Sequence, residues 1–338
     1  MSTSQAGQAE LAAARLMLER MGISPEDLAL APESRVGVPT FAEYVPVVAA
    51  GVTPGTLKAY GSYWNKVVHV WGARRIDEPS PSDIERLVEE VKLQVVARRN
   101  ARGGRGAAES LIAALRCLYR RAAADGHIRD GDNPALKVAK PRRLPSTRRA
   151  IADTRLEEIN RVAASTGDDP ELDSMLLRLH TETACRRAGA LALRPEDLDS
   201  DQCLIFLREK GGTVRWQPVS PTLMQHLLRH GLERGAARGA ALLRYRNGGP
   251  LTYRRYDHLW VRVGERLPWV HTQQISTHWL RHTTLTWVER NFGFSVARAY
   301  AGHAEGGNVA ATATYVRATL QEVCAALAQL TGEPHPLA

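Results

Sequence analysis

The sequence predicts a mainly α-helical chain with one small β-hairpin or sheet, split into two domains by a basic linker. Apolar residues recur at spacings of three and four along most of its length. Two β-rich runs, "CLIFLRE" and "TVRWQPVS", flank Lys210, Gly211 and Gly212. Between the helical halves, "KVAKPRRLPSTRR" (137–149) holds six basic residues, two prolines and no acid. At 338 residues and 44% hydrophobic content, each half can bury a core, which excludes a wholly disordered chain.

Charge and cysteine usage narrow the function classes. Lys plus Arg total 45 against 36 Asp plus Glu, a formal charge of +9, which favours a polyanionic partner. Cys117, Cys185, Cys203 and Cys324 lie far apart without C-x-x-C spacing, so neither a zinc cluster nor a disulfide framework is expected. No apolar run reaches the roughly 18 residues of a membrane span, and the N-terminus lacks a basic start followed by an apolar stretch. A cytoplasmic protein without cofactor or membrane partner is expected.

Residues 1–40 read as a leader, one short helical pattern followed by the loop "LALAPESRVGVPT". Residues 41–136 read as a helical bundle. Thr53 caps a helix with Pro54 in its first turn and Leu57, Tyr60, Trp64, Val67, Val68 and Trp71 inward. Ser80 and Pro81 open a second helix that buries Ile84, Leu87, Val88 and Val91. "ESLIAALRCLYRRAAADG" packs Leu111, Ile112, Leu115, Leu118 and Tyr119 inward, turns Arg116, Arg120 and Arg121 away, and stops near Gly126. The linker spans 137–149, and its Lys137, Lys140, Arg142 and Arg143, with Arg102 and Arg105 of "ARRNARGGRG", are candidate phosphate contacts.

Residues 150–338 form the second domain. Asp153 and Asp169 are placed to cap two helices, and "TACRRAGALALRPEDLD" reads as an apolar helix with adjacent arginines followed by a turn. On composition alone Arg186 and Arg187 reach solvent or pair with Glu182 and Glu196. In "THWLRHTTLTWVERN", Leu280, Thr284, Trp287 and Val288 face inward, leaving His278, Arg281 and His282 on an adjacent face. Arg281 would oppose a dication there, and no H-E-x-x-H arrangement exists, so the turn suits an anion and no metal site is expected. "FSVARAYAGH" ends a short helix at Gly302, and Val316, Leu320, Val323, Leu327 and Leu330 make one apolar face of the last helix.

Taken in order, Arg186, Lys210, His278, Arg281, His303 and Tyr315 resemble the catalytic set of the tyrosine recombinases, the phage integrase family. "TACR" is similar to that family's T-G-x-R, "EKGG" to its G-K-G hairpin turn, "HWLRH" to H-x-L-R-H, "AGH" to L-G-H and "TATY" to T-x-x-Y. The chain departs from the pattern twice. Gly189 stands where the family often has an acid three positions beyond the first arginine, leaving Arg187 as the expected support for Arg186. Twelve positions separate His303 from Tyr315, longer than usual in the family.

The resemblance implies a two-domain C-shaped DNA clamp, a helical core-binding domain followed by an α+β catalytic domain. It implies a site-specific recombinase acting through a 3′-phosphotyrosine, with Arg186 and Arg281 on the nonbridging oxygens, Tyr315 as nucleophile, Lys210 as acid, and His278 and His303 as proton partners. Guanidiniums suit the first task because their forked donors match a phosphate. The implied partner is double-stranded DNA, bound as a homotetramer, with the free protein a monomer or weak oligomer; the C-terminal helix is left to pack on its own chain or to dock on a neighbour, the second being what the resemblance favours. Two alternatives use the same fold: a type IB topoisomerase, and a DNA-binding protein without catalysis.

Overall fold

A computed structural model describes residues 7–22, 37–94, 102–142, 148–209, 212–302 and 318–338. Among them no helix is long and apolar enough to cross a membrane. The chain divides into two compact units, Met1–Pro145 and Ser146–Ala338, and the division falls inside the basic linker.

Among the described residues the first unit is helical: α1 (Gln8–Arg20), α2 (Phe41–Gly51), α3 (Pro54–Trp71), α4 (Pro81–Leu93), α5 (Arg105–Ala124) and α6 (Pro134–Lys137). Helix α2 lies beyond the periodicity argument, yet it carries a local start signal: Thr40 and Glu43 form a capping box, each satisfying the other's backbone N–H. Thr53 and Ser80 cap α3 and α4 as expected, each followed by proline at the first helical position. Trp64, fully buried, hydrogen-bonds the Ala114 carbonyl of α5 at 3.0 Å, so its ring fills the core without an orphaned N–H. Two expectations fail here. Leu57 is 41% exposed, and the buried face of α3 begins at Trp64. Arg116 does not turn away: its Nε and Nη2 donate to the Ala135 and Val138 carbonyls at 2.9 and 2.8 Å, tying α5 to α6.

The second unit contains α7 (Asp153–Ser165), α8 (Pro170–Thr183), α9 (Arg187–Leu191), α10 (Pro221–Glu233), α11 (Tyr253–Arg266), α12 (Pro268–Gln273), α13 (Thr277–Ala301) and α14 (Leu320–Thr331). Its strands β1 (Leu198–Asp199), β2 (Leu204–Arg208) and β3 (Val214–Pro218) form an antiparallel sheet in that order, with Phe206 opposite Trp216. Asp169 caps α8, but Asp153 is already the first residue of α7, where its charge faces the helix dipole favourably instead of capping. Arg186 precedes α9 in extended backbone, so the two adjacent arginines do not share a helix. Buried Asp173 holds α8 against α11, accepting from Arg255 at 2.7 Å and from Arg262. Helix α13 breaks at Gly293 (φ 83°, ψ 171°), a conformation reserved for glycine, and resumes to end at Gly302.

The C-terminal helix packs on its own chain. Thr319 and Glu322 form a capping box that starts α14 at Leu320, while Val316 lies outside the described residues. The apolar face, Val323, Ala326 and Leu327, packs on Ala184, Val288, Val296 and Tyr300 of the same chain. Beyond it, Glu333 accepts from Arg178 at 2.6 Å, and His335 is buried beneath the Cys203 carbonyl at 3.2 Å. Leu327→Ala should therefore cost about 2–5 kcal/mol in urea unfolding. The loss should be the same at every protein concentration, whereas docking on a neighbour would make it concentration-dependent.

Candidate active site

The C-terminal end of α8 sets the site. A helix leaves its last carbonyls without intrahelical partners, and here α13 supplies them: Thr284 Oγ1 donates to the Thr181 carbonyl at 2.6 Å, Tyr300 to that of Glu182 and Arg281 to that of Ala184. The second Nη of Arg281 donates to the Ala301 carbonyl at 2.8 Å. Ala184 caps α8 in the left-handed region (φ 49°, ψ 21°), so the chain turns sharply and delivers Arg186 two residues later.

His180 braces that turn from beneath. Its Nδ1 lies 3.0 Å from the Cys185 carbonyl and its Nε2 2.9 Å from the Tyr256 hydroxyl. A carbonyl only accepts, so Nδ1 carries the proton and Nε2 accepts from Tyr256. Burial pushes the pKa of His180 down to about 4, which keeps this neutral tautomer in place.

Arg186 is oriented by Glu209, the residue that ends the β2 side of the hairpin. One carboxylate oxygen accepts the Arg186 backbone N–H at 2.6 Å; the other accepts Arg186 Nη1 at 2.9 Å and Arg215 Nη1 at 2.6 Å. Burial alone would raise the Glu209 pKa, but Arg215 and the Arg186 N–H outweigh it and hold the group ionised, below the ordinary carboxylate range. Arg187 does not take the supporting role expected of it. It pairs with Asp257 at 3.2 Å and covers the Tyr253 ring. Nor do Glu182 and Glu196 serve Arg186, since they are engaged with Arg178 and Arg194.

The result is a crowded cationic cluster. Arg281, 4% exposed, is not on an outward face with His278 and His282. Its pKa falls to about 10, first through burial and then through Arg186 and Arg215. His278 is exposed at the rim, its pKa pushed below the usual histidine value by desolvation, then by Arg148, Arg281, His282 and Arg186. His282 is engaged along its own helix with Thr286 at 3.0 Å. An anion would relieve the repulsion among these groups. Lys210, His303 and Tyr315 lie outside the described residues, so of the six sequence candidates Arg186, Arg281 and His278 are the ones brought together here.

The sequence model of the phage integrase family matches residues 150–322, more than half of the chain. The chain belongs to the phage integrase family. Its fold is similar to that of a lambda integrase tetramer bound to a Holliday junction, with a TM-score of 0.61 and 14% identity over 91% of each chain. It is also similar to the Tn1549 transposon integrase in complex with a circular intermediate DNA, with a TM-score of 0.60 and 17% identity over 86% of this chain and 99% of that one. No curated protein matches.

For a member of the phage integrase family, His180, Glu209 and Arg215 are the residues that motif reasoning missed. The available signal was indirect: Glu209 adjoins the motif lysine, and Gly189 left Arg186 without an acid in its own segment. His180 offers a test. Because its folded pKa of about 4 lies below the ordinary 6.5, its stabilising contribution is complete above pH 6.5 and lost as pH falls towards 4. Unfolding free energy should drop by up to about 1.4 kcal/mol per pH unit for each such histidine. His230, also lowered to about 4, adds a second contribution. His180→Gln should make the slope measured by urea unfolding between pH 6.5 and 5 shallower, by up to about 1.4 kcal/mol per pH unit.

Proposed function

We propose that the protein is a site-specific DNA recombinase that cuts and rejoins strands through a 3′-phosphotyrosyl intermediate. The observation that carries this reading is the pair of guanidiniums, Arg186 and Arg281, fixed beside one turn: Arg281 donates to its Ala184 carbonyl and Arg186, two residues on, is held by Glu209. Motif order supports the rest. The Tyr315 oxygen attacks phosphorus while the bond to the 5′ oxygen breaks; Lys210 gives that oxygen a proton. The phenolic proton passes to His278, whose lowered pKa leaves it neutral and able to accept. Arg186 and Arg281 stabilise the charge that grows on the nonbridging oxygens, with His303 donating beside them. A phenol, ordinarily with a pKa near 10, leaves well enough for rejoining to need no water.

Double-stranded DNA is the proposed partner, with 41–136 as a core-binding domain and 137–149 as a basic strap. Arg105, Lys137, Lys140 and Arg142 are exposed, as phosphate contacts require. Arg143 and the side chain of Arg102 lie outside the described residues. The integrases with a similar fold were solved on DNA, lambda integrase as a tetramer, which supports assembly of four copies on DNA from a monomer or weak oligomer in the cytoplasm.

Tyr315→Phe should bind its site with unchanged affinity and form no covalent adduct on a nicked suicide substrate; an adduct in that variant removes Tyr315 from the role. Lys210→Ala should cut ordinary DNA about a hundred- to ten-thousand-fold more slowly, yet recover on DNA whose bridging 5′ oxygen is sulfur, a leaving atom that needs no proton. Equal slowing on both substrates would assign Lys210 to backbone contact instead. Arg281→Ala should gain nothing from the sulfur.

A further inference from the structure

We propose that Glu209 is the positioning residue of the anion clamp, seated in a space that Gly189 leaves open, and that it couples Arg186 to the β2–β3 hairpin. The inference rests on the reading of Arg186 as a phosphate ligand given above. Its own support is geometric. The Glu209 side chain has no exposed surface and is shared between two guanidiniums of different elements, Arg186 before α9 and Arg215 on β3. It grips Arg186 by backbone and side chain together, which fixes both where the residue stands and where its guanidinium points. The Glu209 backbone N–H donates to the Thr213 carbonyl at 2.8 Å and so closes the root of the turn that contains Lys210. One residue thereby sets the clamp and joins it to the β2–β3 pair.

Gly189 is the complement. Its backbone is ordinary helix, so flexibility does not explain the glycine. A Cβ there would stand 3.0 Å from Glu209 Cγ and 3.3 Å from its Oε1, closer than a carbon can rest without displacing the carboxylate. Position 189 and the Glu209 carboxylate therefore compete for one volume. A carboxylate reaching Arg186 can enter it from the helix or from the hairpin, and a side chain at 189 would push the Glu209 carboxylate aside. Arg215 closes the far side: its Nε donates to Gln217 at 2.9 Å, and its guanidinium packs where any Cβ on Gly302 would collide.

The competition makes the proposal testable by moving the acid. Glu209→Gln and Glu209→Ala should weaken inorganic sulfate binding, read as ligand-dependent protection against thermal unfolding, and slow adduct formation on a nicked suicide substrate, each on the order of 10- to 100-fold. Affinity for intact DNA should change by no more than about twofold, because many phosphate contacts share it. In the Glu209→Ala background, Gly189→Asp should restore both readouts at least about tenfold, and the isosteric Gly189→Asn should restore neither. Gly189→Asp alone should impair the protein, since two carboxylates then contest one space. Equal behaviour of the Asp and Asn double variants would overturn the proposal, as would wild-type sulfate binding by Glu209→Gln. A protein whose sulfate binding follows the acid while no variant, nor the wild type, forms an adduct would uphold the positioning role and overturn the recombinase reading instead.

Discussion

The structure of the second unit depends on how the end of α8 is satisfied. A buried helix terminus must find donors for its free carbonyls, and three side chains of α13 provide them. Arg281 is the costly member, since burying a guanidinium forfeits its hydration. Neutral carbonyls return hydrogen bonds but no countercharge. Arg281 therefore remains a desolvated cation beside Arg186 and Arg215, and the same contacts that complete the fold leave a site short of negative charge. Stability and anion recognition are thus two effects of one arrangement.

Much of this was legible in the sequence. Helix starts written as Ser-Pro or Thr-Pro, and core stripes such as Ile84, Leu87, Val88 and Val91, are set by local geometry, and they fold where periodicity puts them. The hairpin around Lys210 is likewise fixed by its β-rich flanks. What periodicity could not deliver was partnership. Nothing in the sequence around Arg116 or Arg281 reveals that each ends on backbone carbonyls about 20 residues along the chain. Helix α2 was missed for the opposite reason: its Thr40 and Glu43 signal is local, but Pro46 inside it resembles a break.

The supporting shell of the candidate site shows the same division. Arg186 was found by its motif, whereas Glu209 and His180 act through tertiary contacts at sequence distances of 23 and 5 residues. Arg187, adjacent in sequence, does neither task. Proximity along the chain is a poor guide to which charge steadies another, because a guanidinium reaches several ångströms and the backbone turn at Ala184 redirects everything after it.

The break at Gly293 has a consequence for length. A straight helix of 25 residues would carry Ala301 about 30 Å from Arg281, at 1.5 Å per residue. Instead the two meet in a hydrogen bond at a sequence separation of 20, so the helix folds back on itself and the stretch between them forms a closed ring. Each half of that ring has a fixed phase. One residue added or removed in either half would rotate all that follows by about 100°, carrying Tyr300 off the Glu182 carbonyl or Ala301 off Arg281. This stretch therefore tolerates changes of side chain on its outer face but no change in its number of residues, and it measures out where the chain departs at Gly302.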